Sequence, residues 1–117
     1  MSEPTPDDVC KLVEAAHCLR IVVGPYLVGQ CPFCEVKGGG HNPSCRIADL
    51  ARKLFPFRDQ IGEPINFQEN LPDVRCLVLT AREIVDVLDG FDPQWCPPCL
   101  PLVENLKAKL VAFDAIQ

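Results

Sequence analysis

The feature that most constrains this chain is a cluster of metal-binding side chains in its first half. Three cysteines and one histidine fall within fifteen residues, at Cys31, Cys34, His41 and Cys45. Four such donors are the number that a closed tetrahedral zinc site takes. Three consecutive glycines, residues 38–40, separate the second donor from the third, and glycine accepts backbone angles that let the chain fold back. We therefore expect one structural Zn²⁺, because a catalytic zinc keeps one position open.

The order and spacing of these donors, Cys-x2-Cys-x6-His-x3-Cys, resembles the zinc motif of many short bacterial and phage proteins of unassigned function. The motif is also similar to the retroviral-type zinc knuckle, which spaces its last two ligands differently. A weaker resemblance, to the bacterial primase zinc finger, is carried by residues 29–33, 41–44, 55–57 and 62–67. Where that family has its second cysteine pair, this chain has Pro56 and Asp59. The first resemblance implies a small zinc module, and the primase resemblance implies nucleic-acid binding.

A second Cys-x2-Cys pair, Cys96 and Cys99, lies in the string Trp95-Cys96-Pro97-Pro98-Cys99. This string resembles the active site of thioredoxin-like oxidoreductases, in which a cysteine of low pKa at a helix N-terminus attacks disulfides. Only 18 residues follow Cys99, too few for the strands and helices that the thioredoxin topology places after the motif. The redox interpretation is therefore a remote alternative.

Two further interpretations of this pair stay open. The two thiols would bind a second Zn²⁺ together with any two of Cys10, His17, Cys18 and Cys76. Alternatively, they remain reduced and pack as small apolar side chains against the last helix. The same choice applies to Cys10 and Cys18, which lie about two turns apart on the first predicted helix and are either ligands or core residues.

The composition fits one soluble globular domain over residues 1–117. The chain is 48% hydrophobic and 23% charged, unlike a disordered chain, and its length supports one core. We find no signal peptide and no apolar run that would span a membrane, and we expect a cytoplasmic protein without a membrane partner. In a reducing compartment, cysteines serve more often as metal ligands than as disulfide partners.

Charge is unevenly distributed along this small acidic protein, whose net charge is −5. Residues 1–8 sum to −3, residues 9–58 to +4 and residues 59–117 to −6. An overall negative charge disfavours non-specific binding to nucleic acid. The basic middle segment nevertheless supplies four candidate nucleic-acid contacts, namely Arg46, Arg52, Lys53 and Arg58.

The periodicity of apolar residues predicts a helix-rich chain. We expect helices from Thr5 or Pro6 to about Leu19, over 46–55, over 81–89 and over about 101–115. Residues 21–23, 26–28 and 74–79 have the β-branched and aromatic composition of strands. Thr80 to Glu83 reads as a capping box that starts the third helix, and Gly90 as its left-handed end. Residues 56–73 read as a loop anchored by Ile61, Ile65 and Phe67.

These elements predict an α+β fold with about four helices and two or three short strands around a zinc-stabilised knuckle. Residues 29–55 form the knuckle and its following helix, and residues 74–117 form a strand and two helices. A Ser-His-Asp set and a phosphate-binding loop are both missing, so the sequence provides only weak evidence for an enzyme and favours a binding module. The leading hypothesis is a zinc-stabilised module that binds a protein partner, phage-encoded or part of a larger assembly. The alternative is a nucleic-acid-binding module, and the remote one a redox protein that uses Cys96 and Cys99.

Overall fold

Four helices account for most of the residues that the structure, a computed structural model, describes: 4–23, 46–90 and 97–114. They are α1 (Pro6–Val23), α2 (Arg46–Leu54), α3 (Leu71–Asp89) and α4 (Cys99–Leu110). Short 3-10 turns, Phe55–Phe57 and Val111–Phe113, follow α2 and α4. The described ranges contain no strand. A small helix-rich fold with four helices is therefore confirmed, whereas the predicted strands within these ranges are wrong.

Helix α1 begins where the sequence predicts, at a reciprocal cap. The backbone N–H of Thr5 donates to Asp8 Oδ2 at 2.8 Å, and the N–H of Asp8 donates to Thr5 Oγ1 at 3.1 Å. These two bonds satisfy backbone donors that have no partner within the helix. The helix continues past Leu19 to Val23, so residues 21–23 are helical and not extended. Val23 is fully buried, and this packing outweighs the strand preference of β-branched residues. Residues 26–28 lie outside the described ranges.

Helix α2 and the turn after it direct two phenylalanines to opposite sides. The helix spans Arg46–Leu54, close to its predicted bounds, and Pro56 lies inside the 3-10 turn rather than at the helix end. Phe57 is fully buried, whereas Phe55 is 62% exposed. The chain then runs without regular structure to α3 and is anchored by the buried side chains of Ile65 and Phe67. Ile61, the third predicted anchor, is exposed.

Helix α3 replaces the strand predicted over 74–79 and starts at Leu71, before the predicted capping box. Val74, Leu77, Val78 and Ala81 are all buried, so the apolar side chains follow the helical period despite their strand-like composition. Thr80 lies in mid-helix and does not cap it. Gly90 does end α3, but its φ of −85° is not left-handed.

The core lies between α1, α4, α3 and α2, each of which packs against the next. Helix α4 starts at Cys99, two residues before its predicted start, and ends at Leu110. Phe113, in the turn after α4, is fully buried, and its ring centroid lies 6.3 Å from that of Phe67. None of the helices within the described ranges has the length and apolar character that crossing a bilayer requires.

Candidate functional site: the α1–α2 pocket

The four predicted zinc ligands, Cys31, Cys34, His41 and Cys45, lie outside the described residues. In sequence they belong to the segment that joins the end of α1 to the start of α2. Of the second cysteine pair, Cys96 also lies outside the described residues. Cys99 is the buried first residue of α4 and takes part in a disulfide bond.

The other cysteines differ in their surroundings. Cys10 is a core residue of α1, and its Sγ lies 3.9 Å from Glu14 Oε1. Burial raises the pKa of the Cys10 thiol, and the carboxylates of Glu14 and Asp7 raise it further. Cys18 on α1 and Cys76 on α3 are exposed, so of the two alternatives left open for Cys18, the core position does not apply. Within the described ranges, no three histidine, cysteine or acidic side chains come close enough together to hold a metal ion.

A small cavity lies where the second half of α1 meets α2 and the turn that follows it. We call it the α1–α2 pocket; its volume is about 190 Å³. This is less than the roughly 300–1,000 Å³ of pockets that hold cofactors and drug-sized ligands. The pocket is lined by His17, Arg20, Ala51, Leu54, Phe55, Arg58 and Ile61.

The lining of the α1–α2 pocket combines apolar and basic side chains. Four of the seven residues are apolar, and the other three, His17, Arg20 and Arg58, carry nitrogen donors. None of the described residues in the lining is acidic. Arg20 belongs to the last turn of α1, where a cation is favourable beside the negative end of the helix dipole. Within the described ranges, Arg20 forms no ion pair. Its guanidinium thus offers hydrogen-bond donors toward the pocket region.

Arg58 is held against Phe55 by two contacts. Its Cζ lies 4.0 Å from the centroid of the Phe55 ring, and its Nη1 donates to the Phe55 carbonyl oxygen at 3.0 Å. The guanidinium therefore covers the ring as a cation–π pair. Its Nε also lies 3.8 Å from Asp59 Oδ2, but the Asp59 side chain is 87% exposed, so this pair contributes little. Phe55 is therefore an exposed aromatic side chain that has the Arg58 guanidinium fixed over one face of its ring.

The three candidate nucleic-acid contacts whose side chains are described, Arg52, Lys53 and Arg58, fall into two groups. Arg58 lines the α1–α2 pocket. Arg52 Nη2 and Lys53 Nζ instead approach Asp49 Oδ1, at 3.4 Å and 3.9 Å. Asp49 also accepts a hydrogen bond from Thr80 of α3, so this second group faces α3. Arg46 begins α2, but its side chain is outside the described set.

A second cavity of about 300 Å³ lies between α3 and α4. Two cations, Arg82 and Lys107, line it together with the carboxylates of Asp86 and Asp114. Both cations have partners: Arg82 donates to the Phe113 carbonyl oxygen at 2.7 Å, and Lys107 pairs with Asp89. Charges of both signs therefore line this cavity and its two cations already have partners, which makes it a weaker candidate than the α1–α2 pocket.

Part of the α1–α2 pocket was predicted from the sequence. Arg58 was predicted to contact nucleic acid and His17 to be a possible metal ligand, but Arg20, Phe55 and Ile61 were not predicted as residues of a binding site. The available signal was the string Phe55-Pro56-Phe57-Arg58, which places an arginine beside two aromatic residues. No family model matches the chain, and neither a curated protein nor a solved structure is significantly similar to it.

Proposed function

We propose that this chain is a small zinc-stabilised adaptor that binds a protein partner through the α1–α2 pocket. The observation that carries the proposal is the 62% exposed Phe55 ring, with the Arg58 guanidinium over it, in the lining of a pocket that combines apolar and basic side chains. Aromatic and arginine side chains are enriched among the residues that dominate the energy of protein interfaces. The small pocket volume favours the entry of a partner side chain over that of a cofactor.

The zinc part of the proposal is supported by the chemistry of the donor set. Three thiolates and one imidazole at Cys31, Cys34, Cys45 and His41 fill a tetrahedral structural site. The segment that carries them joins the two helices that line the α1–α2 pocket. Zinc binding is coupled to folding where a small module has little core of its own. We infer that zinc stabilises residues 29–55.

Metal content tests this part directly. Mass spectrometry on the reduced, untagged protein is expected to give one zinc per chain. Two would mean that reduction of the Cys99 disulfide frees this thiol for a second site with Cys96. Cys34→Ser or His41→Ala is expected to lose the zinc and to lower the melting temperature. The matched control is Cys76→Ser, because Cys76 is exposed on α3. Unchanged zinc content and melting temperature in Cys34→Ser would contradict the proposal.

Nucleic-acid binding is the second candidate, because an exposed aromatic ring beside an arginine is also a platform on which bases stack. The carboxylate of Asp49 between Arg52 and Lys53 counts against it, as does the net charge of −5. Fluorescence anisotropy with labelled single- and double-stranded DNA and RNA at low ionic strength separates the two candidates. We expect no binding. Binding that falls steeply with added salt and is lost in Arg58→Ala would replace the adaptor proposal.

The protein partner is tested by crosslinking in cells, followed by reconstitution with the purified protein that is captured. Binding in the reconstituted pair is expected to be lost in Phe55→Ala and retained in Val111→Ala. Val111 is a suitable control because it is also strongly exposed, at 65%, but lies after α4. A purified partner that binds both variants equally well would show that the α1–α2 pocket is not the docking site.

A further inference from the structure

We propose that the α1–α2 pocket receives a short acidic segment of the partner, with one apolar side chain inserted and carboxylates on either side of it. This inference rests on the proposed function and names the chemistry of the partner. It follows from three properties of the pocket: its size, its apolar lining and the sign of the charges around it.

The size of the pocket limits what enters it. A volume of about 190 Å³ is below that of pockets which enclose a whole small molecule, so the inserted group is of side-chain size. Leu54 is buried, whereas Ala51 and Ile61 are exposed. An aliphatic side chain that entered here would cover the exposed residues and part of the Phe55 ring, which removes apolar surface from water.

The charges around the pocket select the flanking residues of the ligand. Arg20, Arg58 and His17 line it, and no acidic side chain is among the lining residues that the structure describes. Arg20 has no ion-pair partner within the described ranges, and the pair that Arg58 makes with Asp59 is exposed to solvent. A planar guanidinium binds a carboxylate through two parallel hydrogen bonds. A ligand with carboxylates beside its apolar side chain therefore satisfies both guanidinium groups, whereas a basic ligand is repelled.

The wall of the pocket formed by Phe55 and Arg58 is rigid, and this favours a flexible peptide as the ligand over the fixed surface of a folded domain. Phe55 precedes Pro56, whose ring fixes φ, and Phe57 anchors the same turn in the core. Arg58 is held by its contacts with the ring and the carbonyl of Phe55. A flexible peptide can adjust to such a fixed wall, because only its own few residues must be ordered.

Fluorescence anisotropy with synthetic peptides tests the inference. The probe is a short labelled peptide with a central leucine flanked on both sides by aspartate and glutamate. One control peptide replaces the acidic residues with lysine, and another replaces the leucine with serine. We expect the acidic leucine peptide to bind the full chain at least about tenfold more tightly than either control, since each removes a main contact. Equal binding of all three peptides would overturn the inference.

Variants of the protein show whether the peptide occupies this pocket. Phe55→Ala is expected to weaken binding at least about tenfold. Ala51→Glu places a carboxylate in the lining and is expected to abolish binding without removing a packed side chain. Arg58→Lys keeps the charge but loses the planar contact, and it is expected to bind more weakly than the wild type. Circular dichroism melting curves confirm that each variant is folded.

Lys11→Ala is the matched control for loss of a positive charge. Lys11 lies on α1 but pairs with Asp7 at 3.0 Å, about 13 Å along the helix from Arg20 at 1.5 Å per residue. We expect this variant to bind like the wild type, apart from a small change at low salt. If Lys11→Ala weakens binding as much as Arg58→Ala does, the attraction is general and the pocket is not the site.

Two further outcomes identify a different occupant and would overturn the inference. The first is displacement of the peptide by a single-stranded oligonucleotide at an equal concentration, which would make the pocket a phosphate and base site. The second is self-association in light scattering that Phe55→Ala abolishes, which would make a second copy of the chain the occupant. If the peptides fail but the captured partner still depends on Phe55, the adaptor proposal stands and only the acidic chemistry is wrong.

Discussion

Replacing Thr80 by valine tests how α2 is held on α3. Thr80 is the buried polar residue of α3, and its Oγ1 donates to Asp49 Oδ2 on α2 at 3.3 Å. Valine keeps the shape of the side chain but removes the hydroxyl. The variant therefore measures the hydrogen bond with little change in packing.

The size of the effect follows from the geometry of the bond. Hydrogen bonds to charged groups contribute about 1.5–3 kcal/mol, but 3.3 Å is long for an O–H donor. The Asp49 side chain is also 34% exposed, so water and the cations beside it still satisfy the carboxylate. We expect Thr80→Val to lower the free energy of unfolding by about 1 kcal/mol. For a domain of this size the melting temperature then falls by about 3–6 °C.

A double-mutant cycle, measured by urea denaturation, identifies the partner of Thr80. The structure predicts a coupling of about 0.5–1 kcal/mol between Thr80→Val and Asp49→Asn. The capping box expected from the sequence would instead couple Thr80 to Glu83, and the mid-helix position of Thr80 predicts that this coupling is smaller than the coupling to Asp49. Strong coupling to Glu83 with none to Asp49 would refute the placement of Thr80 inside α3.

Four further predictions concern matched pairs of residues or the Cys10 thiol. Phe57→Ala is expected to lower the free energy of unfolding by about 3–5 kcal/mol because it empties a core position. Phe55→Ala, at an exposed position, is expected to change it by about 0.5 kcal/mol or less. Equal losses for the two variants in urea denaturation would contradict this prediction. Gly62→Ala is expected to lower the free energy of unfolding by about 1–2 kcal/mol, because φ is +89° at this residue. Gly90→Ala is expected to change it little, because φ is −85° there. Equal shifts in the melting curves of the two variants would contradict this prediction. Iodoacetamide followed by peptide mapping is expected to modify Cys10 last among the three free thiols on α1 and α3. Because the pKa of Cys10 is raised in the folded state, the protonated thiol contributes to the free energy of unfolding below the ordinary thiol pKa, and this contribution is lost as pH rises through the folded-state pKa. A Cys10→Ala variant that loses the same stability at alkaline pH would show that Cys10 is not the titrating group.

The sequence predicted helices better than it predicted strands, for a physical reason. The start of α1 and the bounds of α2 follow from caps and apolar spacing that act within one turn of helix. The strand predicted over 74–79 was wrong because β-branched composition favours a strand locally, whereas the burial of Val74, Leu77 and Val78 against other helices is a tertiary effect. Where tertiary packing requires buried side chains at helical spacing, it outweighs the local preference for a strand.

The α1–α2 pocket was less predictable than the helices. Its walls come from α1 and from α2 with the turn after it, which are separated by more than twenty residues of sequence. Arg20 is one basic residue among eleven in the sequence, and only the packing of α1 on α2 places it beside Phe55 and Arg58. The sequence could propose the metal donors because their spacing is local, but it could not show which cations face the same cavity.

The 3-10 turn Phe55–Phe57 has a consequence for the thermodynamics of binding. Its outer ring is positioned by an inner ring that is fully buried and by a proline between them. The backbone under Phe55 is therefore already ordered before any ligand arrives, and the protein loses little conformational entropy on association. Most of the ordering cost falls on the ligand, so affinity should rise more by stiffening the ligand than by any change to this wall.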